Sequence, residues 1–315
     1  MSNTELPLAL ASTDAPVEGV IGSGGAIFHL VRPQAWQAPL IVASPHSGRH
    51  YPAAFLASAG LSHQELRLSE DCYVDELVAA APESGAPLLT ALFPRSFCDV
   101  NREPLELDPT MFTDCLPEGA NTSSPRVAAG LGVVPRLGAN DREIYRHKLT
   151  VAEAEARLAH YYRPYHATLT ALCGEAVARF GACLVLDCHS MPSGGGPGTG
   201  GSGYPRQQDG QQPVDFVLGD CFGASCAPPV STAIETFLHA RGARMRRNSP
   251  YAGGYVTQHY GRPAAGIHVV QIEINRALYV DERSLERSAG FAAMQATMTG
   301  LIAMLAARVG DLLAA

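Results

Sequence analysis

Basic residues are in the minority: 23 Lys and Arg stand against 30 Asp and Glu, for a net charge of −7. The chain therefore lacks the general cationic surface that binding to a phosphate backbone requires, and nucleic acid is not an expected partner. Aromatics are sparse at 7% and charges at 17%, yet hydrophobic residues reach 46%, which excludes a disordered, collagenous or coiled-coil chain. None of the eight cysteines, at positions 72, 98, 115, 173, 183, 188, 221 and 226, forms a Cys-x-x-Cys pair. A thiolate zinc site is thus not expected, and free, mostly buried thiols are. There is no Gly-x-Ser-x-Gly, so the elbow of a serine hydrolase is missing. The first twenty residues contain Glu5, Asp14 and Glu18 and no Lys or Arg, the reverse of a signal peptide's basic start, and no uninterrupted apolar run of 18 residues occurs. A soluble cytoplasmic protein without a membrane segment is the expectation.

What is present is an alternation of short apolar runs with longer helical patterns. Residues 1–25 are polar, small and aperiodic, and read as a loose arm, with order beginning near Ala26. From there Leu40–Ser44 reads as a strand, 62–81 as a helix, and 88–93 as a second strand. Asn140 or Asp141 can cap a long helix that is punctuated at Pro164 and ends at Gly181. Strands are expected at 182–186 and 269–274, and further helices at 228–240 and 283–314. Strands that cross over through helices make an α/β domain with a mostly parallel sheet, and 26–315 reads as one domain.

Seven glycines fall in the eleven residues from Ser193 to Gly203. Such a stretch has no side chains to bury, and 193–212 reads as a glycine-rich loop. Gly198, Gly200 and Gly203 match Gly-x-Gly-x-x-Gly, but no helix follows, as dinucleotide binding would require.

Three of the apolar runs deliver a chemically competent residue at or near their C-terminal ends, where open α/β sheets bind ligands. Leu40–Ser44 leads to His46, the run at 183–186 leads to Asp187 and His189, and that at 269–272 leads to Glu273. Singly, each has a plain explanation: a turn histidine bonded to backbone, a capping aspartate, a strand-end acid paired with Arg276 or Arg262. Asp187 and His189, two apart in an extended segment, share a side, so the carboxylate could support a metal-bound imidazole. Arg95, Asn101 and Arg102 follow another apolar run, and guanidinium groups match carboxylates in planar, two-bonded geometry. They could equally salt-bridge Asp99, Glu103 or Glu106 at the surface. Glu70 and Asp71 read as first-turn acids that complement a helix dipole. Tyr255 and His259 lie on a glycine-hinged stretch suited to a pocket wall or to a simple turn.

In chain order, several segments resemble the N-formylglutamate amidohydrolase family, whose members remove the formyl group of N-formyl-L-glutamate in histidine breakdown. They are Ser44-Pro45-His46-Ser47-Gly48, Glu70-Asp71, Asp99-Val100-Asn101-Arg102, Pro164-Tyr165-His166, Asp187-Cys188-His189-Ser190, Asp215 to Gly219, and Gly253-Gly254-Tyr255 through Gln271-Ile272-Glu273. That family is similar to zinc carboxypeptidases and aspartoacylases, so the resemblance implies their three-layer fold, a mixed, mostly parallel sheet flanked by helices, and one catalytic zinc ion. Those relatives draw two ligands from a His-x-x-Glu turn, whereas here Arg49 follows His46 by three. The family pattern points instead to Asp71, with Glu70 the less favoured neighbour.

Carried over residue by residue, the resemblance implies zinc on His46, Asp71 and His189, Glu273 as general base, and Arg95 as oxyanion partner. It further implies that Arg102 with Asn101 clamps one substrate carboxylate and that Tyr255 or His259 holds another. The implied substrate is a small acidic N-acyl amino acid. Two alternatives stay open at this point: a zinc amidase or deacylase of another N-acyl amino acid, and a non-catalytic metal- or carboxylate-binding protein of the same fold.

Overall fold

The computed structural model describes residues 17–20, 25–139, 141–194 and 213–314. Its strands are β1 (Val17–Val20), β2 (Ala26–Val31), β3 (Leu40–Ser44), β4 (Leu88–Ala91), β5 (Cys183–Met191), β6 (Phe216–Gly219), β7 (Met245–Arg247) and β8 (Ile267–Asn275). Its helices are α1 (Ala53–Ser58), α2 (His63–Arg67), α3 (Val74–Leu77), α4 (Pro125–Ala128), α5 (Val151–Arg157), α6 (Arg163–Phe180), α7 (Pro228–His239), α8 (Tyr255–Tyr260) and α9 (Phe291–Ala314). The eight strands form one sheet in the order β1-β2-β4-β3-β5-β8-β6-β7. Its centre, β4-β3-β5-β8, is parallel; β2 and β6 join that core antiparallel on either side.

Every residue of β3 is buried, as a central strand covered on both faces requires. Because successive side chains alternate, Ile41 and Ala43 pack with α5, α6 and α8, while Leu40 and Val42 pack with α3, α7 and α9. Two hydrophobic layers thus clamp the sheet, and each fully buried Leu or Val in them contributes roughly 1.5–3 kcal/mol of transfer free energy. The mixed, helix-flanked architecture expected from the sequence is the one observed.

Several boundaries differ from expectation for identifiable reasons. Val17–Val20, within the stretch expected to be loose, pairs antiparallel with β2. Residues 62–81 do not form one helix: Ser62 and Glu65 make a capping box at its start, but α2 ends at Arg67 and α3 begins only at Val74. Between them the Asp71 amide donates to His46 O at 3.0 Å, and Tyr73 adopts φ 59°. The acids in the first turn of α3 are Asp75 and Glu76, so Glu70 and Asp71 have no helix dipole to complement. The long helix is capped at Thr150 rather than Asp141, passes through a π-turn at Leu158–Tyr162, and stops where Gly181 turns left-handed at φ 78°. Asn140 lies outside the described residues. The helix expected from 283 starts at Phe291, because a short hairpin of Val280–Asp281 with Glu286–Arg287 precedes it. The Gly-rich loop, including the glycines of the dinucleotide-like pattern, lies beyond Gly194 and outside the described residues.

By length and composition α9 could cross a membrane, which the sequence reading did not anticipate. In the fold its row of Met294, Met298, Leu301, Ile302, Leu305 and Val309 is buried in the core against α3 and α7. All eight cysteines are free thiols, six of them buried, as expected.

Candidate metal centre and substrate cavity

The site grows out of the ends of β5 and β8. Both strands run further than their apolar stretches suggest, and the pairing continues in register from Cys183↔Ile267 to Met191↔Asn275. Cys183 and Val185 on β5, and Val269 on β8, belong to the α6-side core. Two residues on, the same face carries Asp187 beside Gln271, and two further on, His189 beside Glu273. Each strand is therefore oily at its N-terminal half and polar at its C-terminal half on a single face. His189 and Glu273 lie within the strands, not in a crevice beyond them.

His46 arrives from the turn after β3. Gly48 fixes that turn, because a Cβ there would sit 2.1 Å from the Phe93 carbonyl oxygen. Asp71 arrives from the interrupted segment between α2 and α3. His46, Asp71 and His189 are all buried, and one ligand atom from each lies within 4.8 Å of the others, so the group could hold a metal ion. His189 Nδ1 is hydrogen-bonded to Asp71 Oδ2 at 2.9 Å. His46 Nδ1 lies 3.4 Å from the same oxygen and, though buried, has no hydrogen-bond partner among the described residues. Glu70 is turned away: its carboxylate meets Tyr51 Oη at 2.8 Å and Arg67 Nε at 3.3 Å.

The far nitrogens of both imidazoles are anchored by carboxylates. His46 Nε2 is 2.7 Å from Asp99 Oδ1, and His189 Nε2 is 3.0 Å from Asp187 Oδ2. This is the arrangement that orients and strengthens metal-binding imidazoles, and it leaves both Nδ1 atoms facing Asp71. Two imidazoles and one carboxylate are a donor set that fits one divalent metal ion. Asp187 shares a face of β5 with His189, two residues on. Asp99 was recognised only as a salt-bridge acid, and nothing in its local sequence shows that its partner lies 53 positions away.

The electrostatics follow from burial and close partners. Burial opposes ionisation of Asp71, yet the hydrogen bond from His189 and the nearby ring of His46 hold its carboxyl below the usual range. Burial likewise opposes the charge on Asp99, but Arg95, His46 and Arg102 keep it ionised. His189 is held well above the ordinary histidine range by Asp187 and Asp71, against the burial that lowers it. Glu273 is pushed up to about 7, by burial first and then by Asp71, with His189 and Arg95 opposing. Gln271 Nε2 donates to Glu273 Oε1 at 2.7 Å and fixes its direction.

A cavity of about 450 Å³ opens over this cluster and is lined by His46, His189, Glu273, Arg95, Arg102 and Arg126, among others. Arg95 reaches Asp99 Oδ2 at 2.8 Å and Asp71 Oδ1 at 3.8 Å. Arg102 donates through Nε to Leu131 O and through Nη1 to Asn101 O. The pairing with Asp99 weighed from the sequence is real, but it is buried rather than superficial. Asn101 acts as a spacer: its Oδ1 accepts from the Val256 amide at 2.8 Å and its Nδ2 lies 3.2 Å from His189 Nε2. Gly254 must be a glycine, because a Cβ would fall 2.4 Å from that Nδ2. Tyr255 and His259, by contrast, stack on each other at 4.8 Å and line an adjoining cavity of about 660 Å³. They are not brought to the cluster.

A family model for N-formylglutamate amidohydrolase matches residues 38–280. The chain belongs to that family. The matched span contains every residue of the cluster, its two supporting carboxylates and Glu273. Among members of the family, N-formylglutamate deformylase of Pseudomonas aeruginosa is 31% identical over 252 residues, 79% of this chain and 84% of its own length. The deformylase of Pseudomonas putida is 30% identical over 78% of this chain and 82% of its own. The crystal structure of N-formylglutamate amidohydrolase from Ralstonia eutropha superposes with a TM-score of 0.82 at 38% identity, covering 90% of this chain and 98% of that one. A gene product of Agrobacterium tumefaciens, at 18% identity and TM-score 0.64, covers 91% of this chain and 97% of its own and shares the fold.

Proposed function

We propose that this chain is a metal-dependent amidohydrolase that cleaves the formamide bond of N-formyl-L-glutamate, releasing formate and L-glutamate, with zinc as the ion held by His46, Asp71 and His189. The observation that carries the reading is the convergence of that buried group with Glu273 under one arginine-lined cavity, in a chain of this family. When bound, the ion supplies Lewis acidity that lowers the pKa of a water to about 7.

The chain's own residues do the rest. Asp99 and Asp187 hold the imidazoles in place through Nε2. Glu273, steered by Gln271 and pushed up to about 7, takes a proton from the attacking water and returns it to the leaving amine nitrogen. Water oxygen adds to the formyl carbon, and the C–N bond breaks once the nitrogen is protonated. Arg95 at the cavity wall stabilises the oxyanion. Arg102, with Asn101 locking its neighbourhood, receives a substrate carboxylate. The free thiols support a reducing, cytoplasmic setting.

Formate release from N-formylglutamate, N-formylaspartate and N-acetylglutamate (acetate for the last), measured alongside elemental analysis of the purified protein, tests this directly. Turnover of N-formylglutamate with about one zinc per chain is expected from a single three-ligand site. Activity confined to N-acetylglutamate would replace the substrate assignment, and unimpaired function in Glu273→Ala would mark a non-catalytic binding protein.

A further inference from the structure

Of the arginines that line the cluster cavity, Arg95 and Arg102 are committed to protein partners, Arg95 to Asp99 and Arg102 to two backbone carbonyls. Arg126 is not. It is exposed, and its side chain makes no hydrogen bond or ion pair with any described residue. Its backbone is nonetheless fixed. Ser124 caps α4 by accepting from the Val127 amide at 3.1 Å, Val127 is buried, and the Leu131 amide donates to Arg126 O at 2.8 Å. The arginine thus projects from an anchored turn into the wall shared by the two cavities.

The nearby acids bond elsewhere. Glu103 accepts from Asn121 Nδ2 at 2.9 Å, and Glu106 accepts from the Glu103 amide at 3.3 Å. Arg102 feels its cationic neighbours: burial first, then Arg126 and Arg95, push its pKa down to about 10 against the pull of Asp99. Three guanidinium groups line one mouth, and that of Arg126 has no partner among the described residues, so its donors are open to a ligand.

We propose that Arg126 is a specificity-determining residue that binds the side-chain carboxylate of the N-formyl amino acid, while the buried Arg102 binds the α-carboxylate. This rests on the deformylase reading above. The assignment follows from covalent distance: the α-carboxylate lies two bonds from the formylated nitrogen and the side-chain carboxylate of glutamate four. The nearer group meets the arginine whose neighbour Asn101 touches His189, and the farther one meets the arginine at the outer wall. Arg126 therefore takes the role that the sequence assigned to Tyr255 or His259.

The test compares metal-loaded wild-type chain with Arg126→Gln and Arg126→Lys on N-formyl-L-glutamate and on its neutral isostere N-formyl-L-glutamine. Arg126→Gln is expected to raise KM for the glutamate substrate about 10- to 100-fold, as loss of a charged hydrogen-bonded pair does, with kcat nearly unchanged. KM for the glutamine substrate should stay as in wild type, so the preference between the two collapses; Arg126→Lys should restore part of it. An unchanged preference in Arg126→Gln overturns the proposal, as does an equal loss on both substrates. Wild-type chain that hydrolyses neither substrate refutes the deformylase reading and removes this proposal with it. Because Arg126 is exposed, the variants should melt with wild type, which separates binding from folding.

Discussion

His46 and His189 meet edge to face, with ring centroids 4.7 Å apart and planes inclined at 67°, and both aim Nδ1 at the same oxygen of Asp71. Without an ion, one carboxylate oxygen has to serve two buried rings, and it satisfies only one of them. The cluster is shaped for a charge at its centre.

Asp71→Ala should therefore abolish stoichiometric metal binding, whereas Glu70→Gln should keep it, since Glu70 is occupied with Tyr51 and Arg67. Elemental analysis of both proteins after dialysis against chelator and reloading decides the matter. Metal retained in Asp71→Ala and lost in Glu70→Gln would reverse the ligand assignment.

Asp99→Asn and Asp187→Asn remove the charge behind each imidazole while keeping its shape. Each should weaken metal affinity about 10- to 100-fold, the usual cost of removing a carboxylate from behind a ligand histidine. Competition with a chromophoric chelator measures this. Affinity unchanged in both variants would mean that the imidazoles are held by packing alone.

Glu273→Gln should lower formate release by about 10² to 10⁴, the range for loss of a general acid–base group, with metal content unchanged. Gln271 can still hydrogen-bond the new side chain, so structure is preserved. Activity within a fewfold of wild type would assign the proton transfer to another group.

His166 is half-buried, with Nε2 on Val100 O and Nδ1 on Tyr260 Oη, and desolvation pushes its pKa down to about 4. The unfolded chain protonates this ring near 6.5, so between pH 6.5 and 4 it binds more protons than the fold does. The stability that His166 contributes is complete above 6.5 and is lost as pH falls toward 4. Urea midpoints at pH 7 and pH 5 should drop more in wild type than in His166→Gln. Equal drops would show that the ring titrates alike in both states.

Gly174→Ala makes an independent check on the helical core. A Cβ at this position in α6 meets nothing within 4 Å, so the substitution should stabilise the protein by about 0.5–1 kcal/mol. Gly254→Ala should instead destabilise it and lower turnover, because the new methyl collides with Asn101. Calorimetric melting of the two variants should give shifts of opposite sign.

The three strands that deliver His46, His189 and Glu273 were legible in the sequence because burial on both faces leaves a dense apolar run, and polar residues at the end of such a run stand out. Their pairing was not, since parallel register depends on contacts across the chain. The same limit hid the break at Leu68–Tyr73: local propensity favours a continuous helix there, and a single amide bond to His46 O contributes to overriding it. Asp99 and Arg126 were hidden for the opposite reason. One is defined by a distant partner and the other by having none among the described residues, and neither property has a local periodicity.

Cys188 stands between Asp187 and His189 in sequence but belongs to the hydrophobic layer on the other side of β5. Strand pleating thus keeps sulfur out of a nest made of nitrogen and oxygen donors, so soft, thiol-seeking ions such as mercury or copper(I) gain no foothold there. Oxidative damage to that thiol would have to cross the thickness of the sheet before it disturbed the ion.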